Sequence, residues 1–231
     1  MRFFYITLIL LITCSVSAQD INQFDAHGKR HGIWKKTFDK TEILRYEGAF
    51  NHGKEIGEFK FYKNSDRKAV LAVSKIFNDS NTVANVKFYT PRGKLISEGQ
   101  MDGKLYIGAW KYYQKNADGL IILEHYNNVG NLEGSRTVYY KNGQIAEQQN
   151  YKSGKLEGES IWYSENAVVL KHFIYEKGEL HGISKYYNPK AELITEGHYK
   201  NGKKHGIWKF YQDGKLTEEK DFTYKNKKKA P

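Results

Sequence analysis

The stretch Gly202-Lys203-Lys204-His205-Gly206-Ile207-Trp208-Lys209 decides the fold, because it occurs almost twice. Its counterpart, Gly28-Lys29-Arg30-His31-Gly32-Ile33-Trp34-Lys35, lies near the other end of the chain. Between them the G-x-x-x-G frame returns as Gly53/Gly57, Gly130/Gly134, Gly154/Gly158 and Gly178/Gly182. Gly103/Gly108 carries one extra residue, and Ser80/Ala84 is a degenerate copy. The second positions of these pairs are spaced by 25, 27, 24, 26, 24, 24 and 24 residues. A near-constant period in this range marks a stacked repeat architecture.

Working outward from the second glycine, each copy predicts two strands. Residues two and four further on share one strand face. Position two holds Trp34, Phe59, Val86, Trp110, Arg136, Ser160, Ser184 and Trp208. Position four holds Lys36, Phe61, Phe88, Tyr112, Val138, Trp162, Tyr186 and Phe210. That face is mostly aromatic or apolar and predicts the core. The second strand opens on an aliphatic residue and closes, six residues later, on an aromatic or Met: Leu44/Phe50, Leu71/Phe77, Leu95/Met101, Leu120/Tyr126, Ile145/Tyr151, Val169/Tyr175, Leu193/Tyr199 and Leu216/Phe222. An even separation keeps both on one side of a half-buried strand. Asn142-Gly143, Asp213-Gly214, Arg92-Gly93 and Asn188-Pro189 supply turns between the strands. No stretch holds a helical apolar period for three turns, so helix is expected only in the N-terminal segment. The expectation is an all-β chain: an elongated, single, twisted antiparallel sheet of about eight tandem β-hairpins. Stacking is expected to distort at Ser80/Ala84 and at Arg136.

Composition agrees with a thin sheet. Among 231 residues there are 18 Tyr, 12 Phe, 4 Trp and 21 Gly, and 39% are hydrophobic. Mean hydropathy is −0.72. Such a chain lacks the aliphatic bulk for a deep core, but its aromatic rings bury large areas across neighbouring strands.

The first residues are read separately. Arg2 precedes an apolar run, Phe3 to Ile12, and Ser15-Val16-Ser17-Ala18 ends in small residues. This is the pattern of a secretory signal peptide cleaved before Gln19. Cys14 is the only cysteine and lies inside it. A lipid on Cys14 is a competing expectation, against which Ile12 and Thr13 fit a lipoprotein signal poorly. The domain reading is therefore signal peptide 1–18, linker 19–23, repeat array 24–224 and basic tail 225–231. The formal charge of +11 loses one unit with Arg2 and four with Lys225, Lys227, Lys228 and Lys229, leaving +6 on residues 19–224. A modest basic balance on an exported chain points to an anionic envelope component or a protein, and away from nucleic acid.

With these residues on the page, Glu196-Gly197-His198-Tyr199-Lys200-Asn201-Gly202-Lys203-Lys204-His205-Gly206-Ile207-Trp208 resembles the MORN repeat, in its variant form common in bacteria. Glu47-Gly48-Ala49-Phe50-Asn51-His52-Gly53 and Glu98-Gly99-Gln100-Met101-Asp102-Gly103 are weaker copies. The resemblance runs from about Phe24 to Tyr224. It implies a ribbon of β-hairpins acting as a scaffold or as a protein- or lipid-binding surface, and some variant arrays carry an antitoxin label. It implies no shared catalytic motif, so no catalytic residue is carried over.

Candidate sites are few. His31, His181 and His205 recur just before the second glycine, but equivalent positions in adjacent hairpins lie about 9–10 Å apart. That is too far for one zinc ion. Glu47, Glu98 and Glu196 recur before a glycine and are expected to pair with nearby lysines rather than form a hydrolytic dyad, whose two carboxylates must share a cleft. No metal, cofactor or small-molecule substrate is expected.

The first strand's other face carries two rows. Lys35, Lys60, Lys87, Lys111, Lys185 and Lys209 stand at position three, with Thr137 and Ile161 as exceptions. Tyr62, Tyr89, Tyr113, Tyr139, Tyr163, Tyr187 and Tyr211 stand at position five. The Lys residues with Tyr62, Tyr89, Tyr113, Tyr187 and Tyr211 form the candidate binding strip for something long and anionic. A solvated face is the favoured explanation, because the repeat consensus accounts for both rows without a function. The leading expectation is an exported, non-catalytic binding or scaffold protein contacting a protein, an envelope polymer or a lipid headgroup. The alternatives are a carbohydrate-active enzyme with an aromatic groove and an antitoxin-like neutraliser of a partner protein.

Overall fold

The computed structural model describes residues 20–78, 80–116 and 119–223. The expected signal peptide, its helix and the basic tail lie outside the described residues. The strands are β1 (Gln23–Phe24), β2 (Arg30–Thr37), β3 (Leu44–Asn51), β4 (Lys54–Ser65), β5 (Lys68–Phe77), β6 (Val83–Tyr89), β7 (Leu95–Asp102), β8 (Leu105–Tyr113), β9 (Leu120–Tyr126), β10 (Gly134–Tyr139), β11 (Ile145–Lys152), β12 (Lys155–Tyr163), β13 (Val169–Glu176), β14 (Glu179–Leu180), β15 (Gly182–Tyr187), β16 (Leu193–Lys200), β17 (Lys203–Gln212) and β18 (Lys215–Asp221). Each strand pairs antiparallel with its neighbour in sequence, and β13 pairs with both β14 and β15. β14 and β15 are thus one strand interrupted at His181. The result is a single open meander, two long strands per copy. At roughly 4.8 Å per strand it runs on the order of 70 Å along its surface.

The core is one row deep. Phe59, Val86, Trp110 and Trp208 are at most 1% exposed, and Ser160 and Ser184 share their row and burial. This side is called the Trp face below. Closing-strand rings such as Phe50 and Tyr126 pack against this row and wall it off from solvent.

Glycine makes room for the large rings. A Cβ on Gly99 would lie 2.5 Å from the Trp110 ring, and one on Gly48 or Gly197 would collide with Phe59 or Trp208. The backbone bulges beside each of these glycines, with register shifts at Glu47/Ala49, Glu98/Gln100 and Glu196/His198. Between Gly99 and Gly197, around β13, the arrangement is reversed. Phe173, on a second strand, pairs directly with Ser160. It is 9% exposed and packs at a tilt against Trp162 and edge-on against Tyr186, with ring centroids 5.1 and 5.0 Å away. The ring now comes from the strand that elsewhere supplies glycine, and serine replaces the ring.

The G-x-x-x-G turns tie neighbouring hairpins together. Gly53 N–H donates to Arg30 C=O at 2.8 Å, and Gly154, Gly178 and Gly202 do the same to Leu132, Leu156 and Leu180 at 2.8–2.9 Å. Gly53 has φ +87°, which a side chain would strain. Junctions between copies lack the bulge at both expected places and also at β13–β15, where only two positions pair. β5 and β6, across Ser80/Ala84, pair without the bulge. β9 and β10, at Arg136, share only two paired positions beside an isolated Tyr126–Leu132 bridge.

The segment expected as a linker takes part in the sheet. Asn22 N–H donates to Ile33 C=O at 2.8 Å, and its Oδ1 accepts from Lys35 N–H at 2.8 Å. Trp34 Nε1 donates to Gln23 C=O at 3.0 Å. Residues 22–24 therefore cap the first edge, because a short cap satisfies backbone groups that an open edge would leave bare.

Candidate binding surface

All six candidate lysines fall on the face opposite the tryptophans, in one cross-strand row. Reading register pairs from β2 to β18 gives Lys35, Glu47, Lys60, Ser74, Lys87, Glu98, Lys111, Leu123, Thr137, Gln148, Ile161, His172, Lys185, Glu196, Lys209 and Glu219. First strands supply the lysines and second strands the glutamates. The recurring Glu47, Glu98 and Glu196 are therefore rungs of the same ladder as the lysines. Lys35 Nζ lies 3.3 Å from Glu47 Oε2, and Lys87 Nζ lies 3.6 Å from Glu98 Oε2. Lys60 Nζ lies 3.3 Å from Glu58 Oε2. Exposed pairs of this kind each contribute about 0–1 kcal/mol. Their larger effect is on the field, since alternating charges cancel within a Debye length of about 10 Å.

The tyrosines belong to the ladder too. Tyr62 donates its hydroxyl to Glu47 Oε1 at 2.7 Å, Tyr113 to Glu98 Oε1 at 2.5 Å and Tyr211 to Glu196 Oε1 at 2.8 Å. Tyr163 makes the same bond to Gln148 at 3.1 Å, and Tyr89 lies 3.4 Å from Ser74 Oγ. Tyr187 is half-buried in the same row. The Tyr62 hydroxyl, helped by Lys35, holds the Glu47 carboxyl below its ordinary range. Burial, and then the facing carboxylates, push the Tyr62 and Tyr113 phenols up to about 12. The Glu196 hydrogen bond raises Tyr211. The recurrence of Glu before Gly was visible in the sequence. That Glu and Lys share one row depends on register, which spacing alone left open.

In the middle of the array the two faces exchange character. On the Lys face the row turns neutral, from Leu123 to His172, and Thr137 is 8% exposed. On the Trp face a charged network appears. Arg136 Nε donates to Glu124 Oε1 at 3.0 Å, and its Nη1 donates to Glu147 Oε2 at 3.2 Å and to Gln149 Oε1 at 3.3 Å. Tyr126 donates to Glu124 Oε2 at 2.7 Å and Tyr151 to Gln149 Oε1 at 3.0 Å. Burial and the Glu124 bond raise the Tyr126 phenol. Arg136 was recognisable as an exception, but its partners were not.

Concave features are shallow. Ile33, Glu47, Ala49, Glu58 and Lys60 line a hollow of about 350 Å³, and Asn85, Lys87, Glu98, Gln100 and Lys111 line a comparable one of about 490 Å³ two copies on. Glu47 and Glu58 share the first, but Glu47 is engaged by Tyr62 and Lys35 and its pKa is depressed, whereas a glycosidic acid needs a raised one. At the capped edge, His52 Nδ1 lies 2.6 Å from Asp25 Oδ2 and the His31 and His52 rings are 4.7 Å apart. Among the described residues no group of three or more His, Cys, Asp or Glu is placed to hold a metal ion. Nor is any helix there long and apolar enough to cross a membrane.

A family model described as MORN repeat variant matches residues 132–153. The matched segment comprises β10, its turn and β11, one hairpin of the array. A search of the curated proteins found no match. The chain is a β-hairpin repeat protein similar to that family, which suggests a repeat-based binding or scaffold role.

Proposed function

We propose that the protein is an exported, non-catalytic scaffold that uses the Lys face to bind a protein partner in the cell envelope. The observation that carries this reading is the unbroken sixteen-residue row across the open sheet. Its six lysines and four glutamates leave a net charge of only +2, which favours a mixed-charge protein surface over a polyanion. Export rests on the first eighteen residues and predicts a mature N-terminus at Gln19. Intact mass of exported material checks it. Retained Met1, or a lipid on Cys14, overturns it.

Binding is tested by capture from solubilised envelope fractions. The wild-type chain retains a saturable protein partner. Lys60→Glu, Lys87→Glu and Lys111→Glu combined reduce capture severalfold, while stability changes by no more than about 0.5 kcal/mol per surface site. Undiminished capture by the folded triple variant refutes the reading. Retention on anionic phospholipid vesicles, with no protein captured, transfers the role to a lipid surface.

A further inference from the structure

The Lys face carries more apolar surface than a solvated face requires. Ile76, Ile96, Ile121, Ile194 and Ile207 all point to it and are 40–49% exposed. Isolated exposed isoleucines need no explanation, but five on one face of one sheet form a patterned surface. Their positions and the charge ladder have a common symmetry. First strands present Lys and Tyr, whereas second strands present Glu and all of these isoleucines but Ile207. Any reversal of the array about a line between two strands therefore sets first strands against second strands, and never Lys against Lys or Glu against Glu. A reversal about a line through a strand sets Lys against Lys.

The neutral centre selects one such line. Reversed about the gap between β10 and β11, the row places Leu123 opposite Ile161, Glu98 opposite Lys185 and Lys87 opposite Glu196. Outside the ladder, the same operation sets Ile76 opposite Ile207 and Ile121 opposite Tyr163. Moving the line one strand, to the gap between β9 and β10, sets Glu98 against Ile161 and leaves a carboxylate facing an aliphatic chain. Tyr113 and Lys87 already engage that carboxylate within its own chain, but covering it with an aliphatic side chain strips its remaining water with no cation from the second copy to compensate.

We propose that the partner of the Lys face is a second copy of this chain, docked face to face about a two-fold axis that runs along the strands between β10 and β11. The proposal rests on the binding reading above and supplies its partner. Contact centres on the uncharged stretch of the row, from Leu123 to Ile161. Leu123 and Ile161 form the apolar centre, counted twice by symmetry. Glu98 and Lys185 form a charged rim, which is the usual anatomy of an interface. The contact is isologous and uses up its own surface, so it closes at a dimer rather than growing into a fibre.

Charge swapping tests the register. The wild-type chain sediments as a dimer at micromolar concentration. Glu98→Lys sets an ammonium against Lys185 at both symmetry-related sites, and Lys185→Glu sets a carboxylate against Glu98. Each variant alone dimerises at least about tenfold more weakly. Mixed in equal amounts, the two variants restore a dimer, because both contacts then pair opposite charges. Circular dichroism and melting of each variant confirm that loss of dimer is not loss of fold, and recovery on mixing requires folded chains. A monomeric wild type overturns the proposal, as does a dimer indifferent to both substitutions or a mixture that stays monomeric. A monomeric wild type whose Lys-face triple variant still loses envelope capture sinks self-association alone. A chain that swaps as predicted but captures nothing confines the Lys face to self-association.

Discussion

Gly99→Ala tests the packing that sets the fold. In an open strand this change is mildly favourable, by roughly 0.5–1 kcal/mol, because alanine has less freedom to lose. Here the new methyl lies 2.5 Å from the Trp110 ring. Trp110 is 0% exposed, stacks on Tyr106 at 3.9 Å between centroids, and donates Nε1–H to Gln100 C=O at 2.9 Å. The ring is held on three sides and has nowhere to move. Overpacking of this kind costs about 1–3 kcal/mol, enough to outweigh the entropic gain. Trp110→Ala alone should cost roughly 3–5 kcal/mol. In the double variant the methyl enters vacated space, so the two costs should fall short of their sum by about 1 kcal/mol or more. Urea unfolding of all four proteins, followed by far-ultraviolet circular dichroism, measures the cycle. Additive costs, or a Gly99→Ala protein as stable as wild type, would refute the claim that glycine is there to seat the ring.

Lys111→Glu, one residue along, should move stability by no more than about 0.5 kcal/mol, since its side chain lies on the exposed face; an unfolded variant would mean that the faces are inverted. Arg136→Met should cost roughly 3–5 kcal/mol, because it strands Glu124 and Glu147, whose side chains are only 11% and 19% exposed. Adding Glu124→Leu and Glu147→Leu to it should recover much of that loss in the same urea assay, and no recovery would mean that the network is not the source. The His52 hydrogen bond and the Lys29 backbone hold Asp25 at a pKa of about 2, below the ordinary 3.8. Its contribution is therefore complete above the ordinary value and fades as the pH falls toward 2. Asp25→Asn should flatten this acid limb of the melting temperature, and an unchanged limb would discount the cap.

The hairpin period, the strand pairs and the buried row were legible because aromatic and glycine positions repeat at fixed offsets. Trp110 and Trp208 announce the core directly. Arg136, Ser160 and Ser184 occupy the same row, but nothing at those positions reveals the Glu124 network or the Phe173 ring that fills the gap. Those depend on residues about a dozen positions away, on strands whose register is not set by their own sequence. The candidate strip was half legible for the same reason. Its lysines could be counted along first strands. The glutamates between them come from second strands, and only pairing places Glu47 between Lys35 and Lys60. The expected linker failed as a category because Asn22 satisfies backbone groups through its side chain, which composition does not register.

The reversal at Ser160, Phe173 and Ser184 makes the hairpins unequal in a way their common period hides. Early copies offer a ring to the preceding strand and a hollow to the following one. The stretch around Phe173 inverts that offer, and Gly197 with Trp208 restores it. A copy moved across either border would bring ring against ring or hollow against hollow. The order of the hairpins is therefore part of the message, and a family growing by duplication would lengthen such an array more readily away from the Ser160–Ser184 stretch than at its two borders. Shuffled arrays of identical composition should differ in stability according to how many such borders they contain.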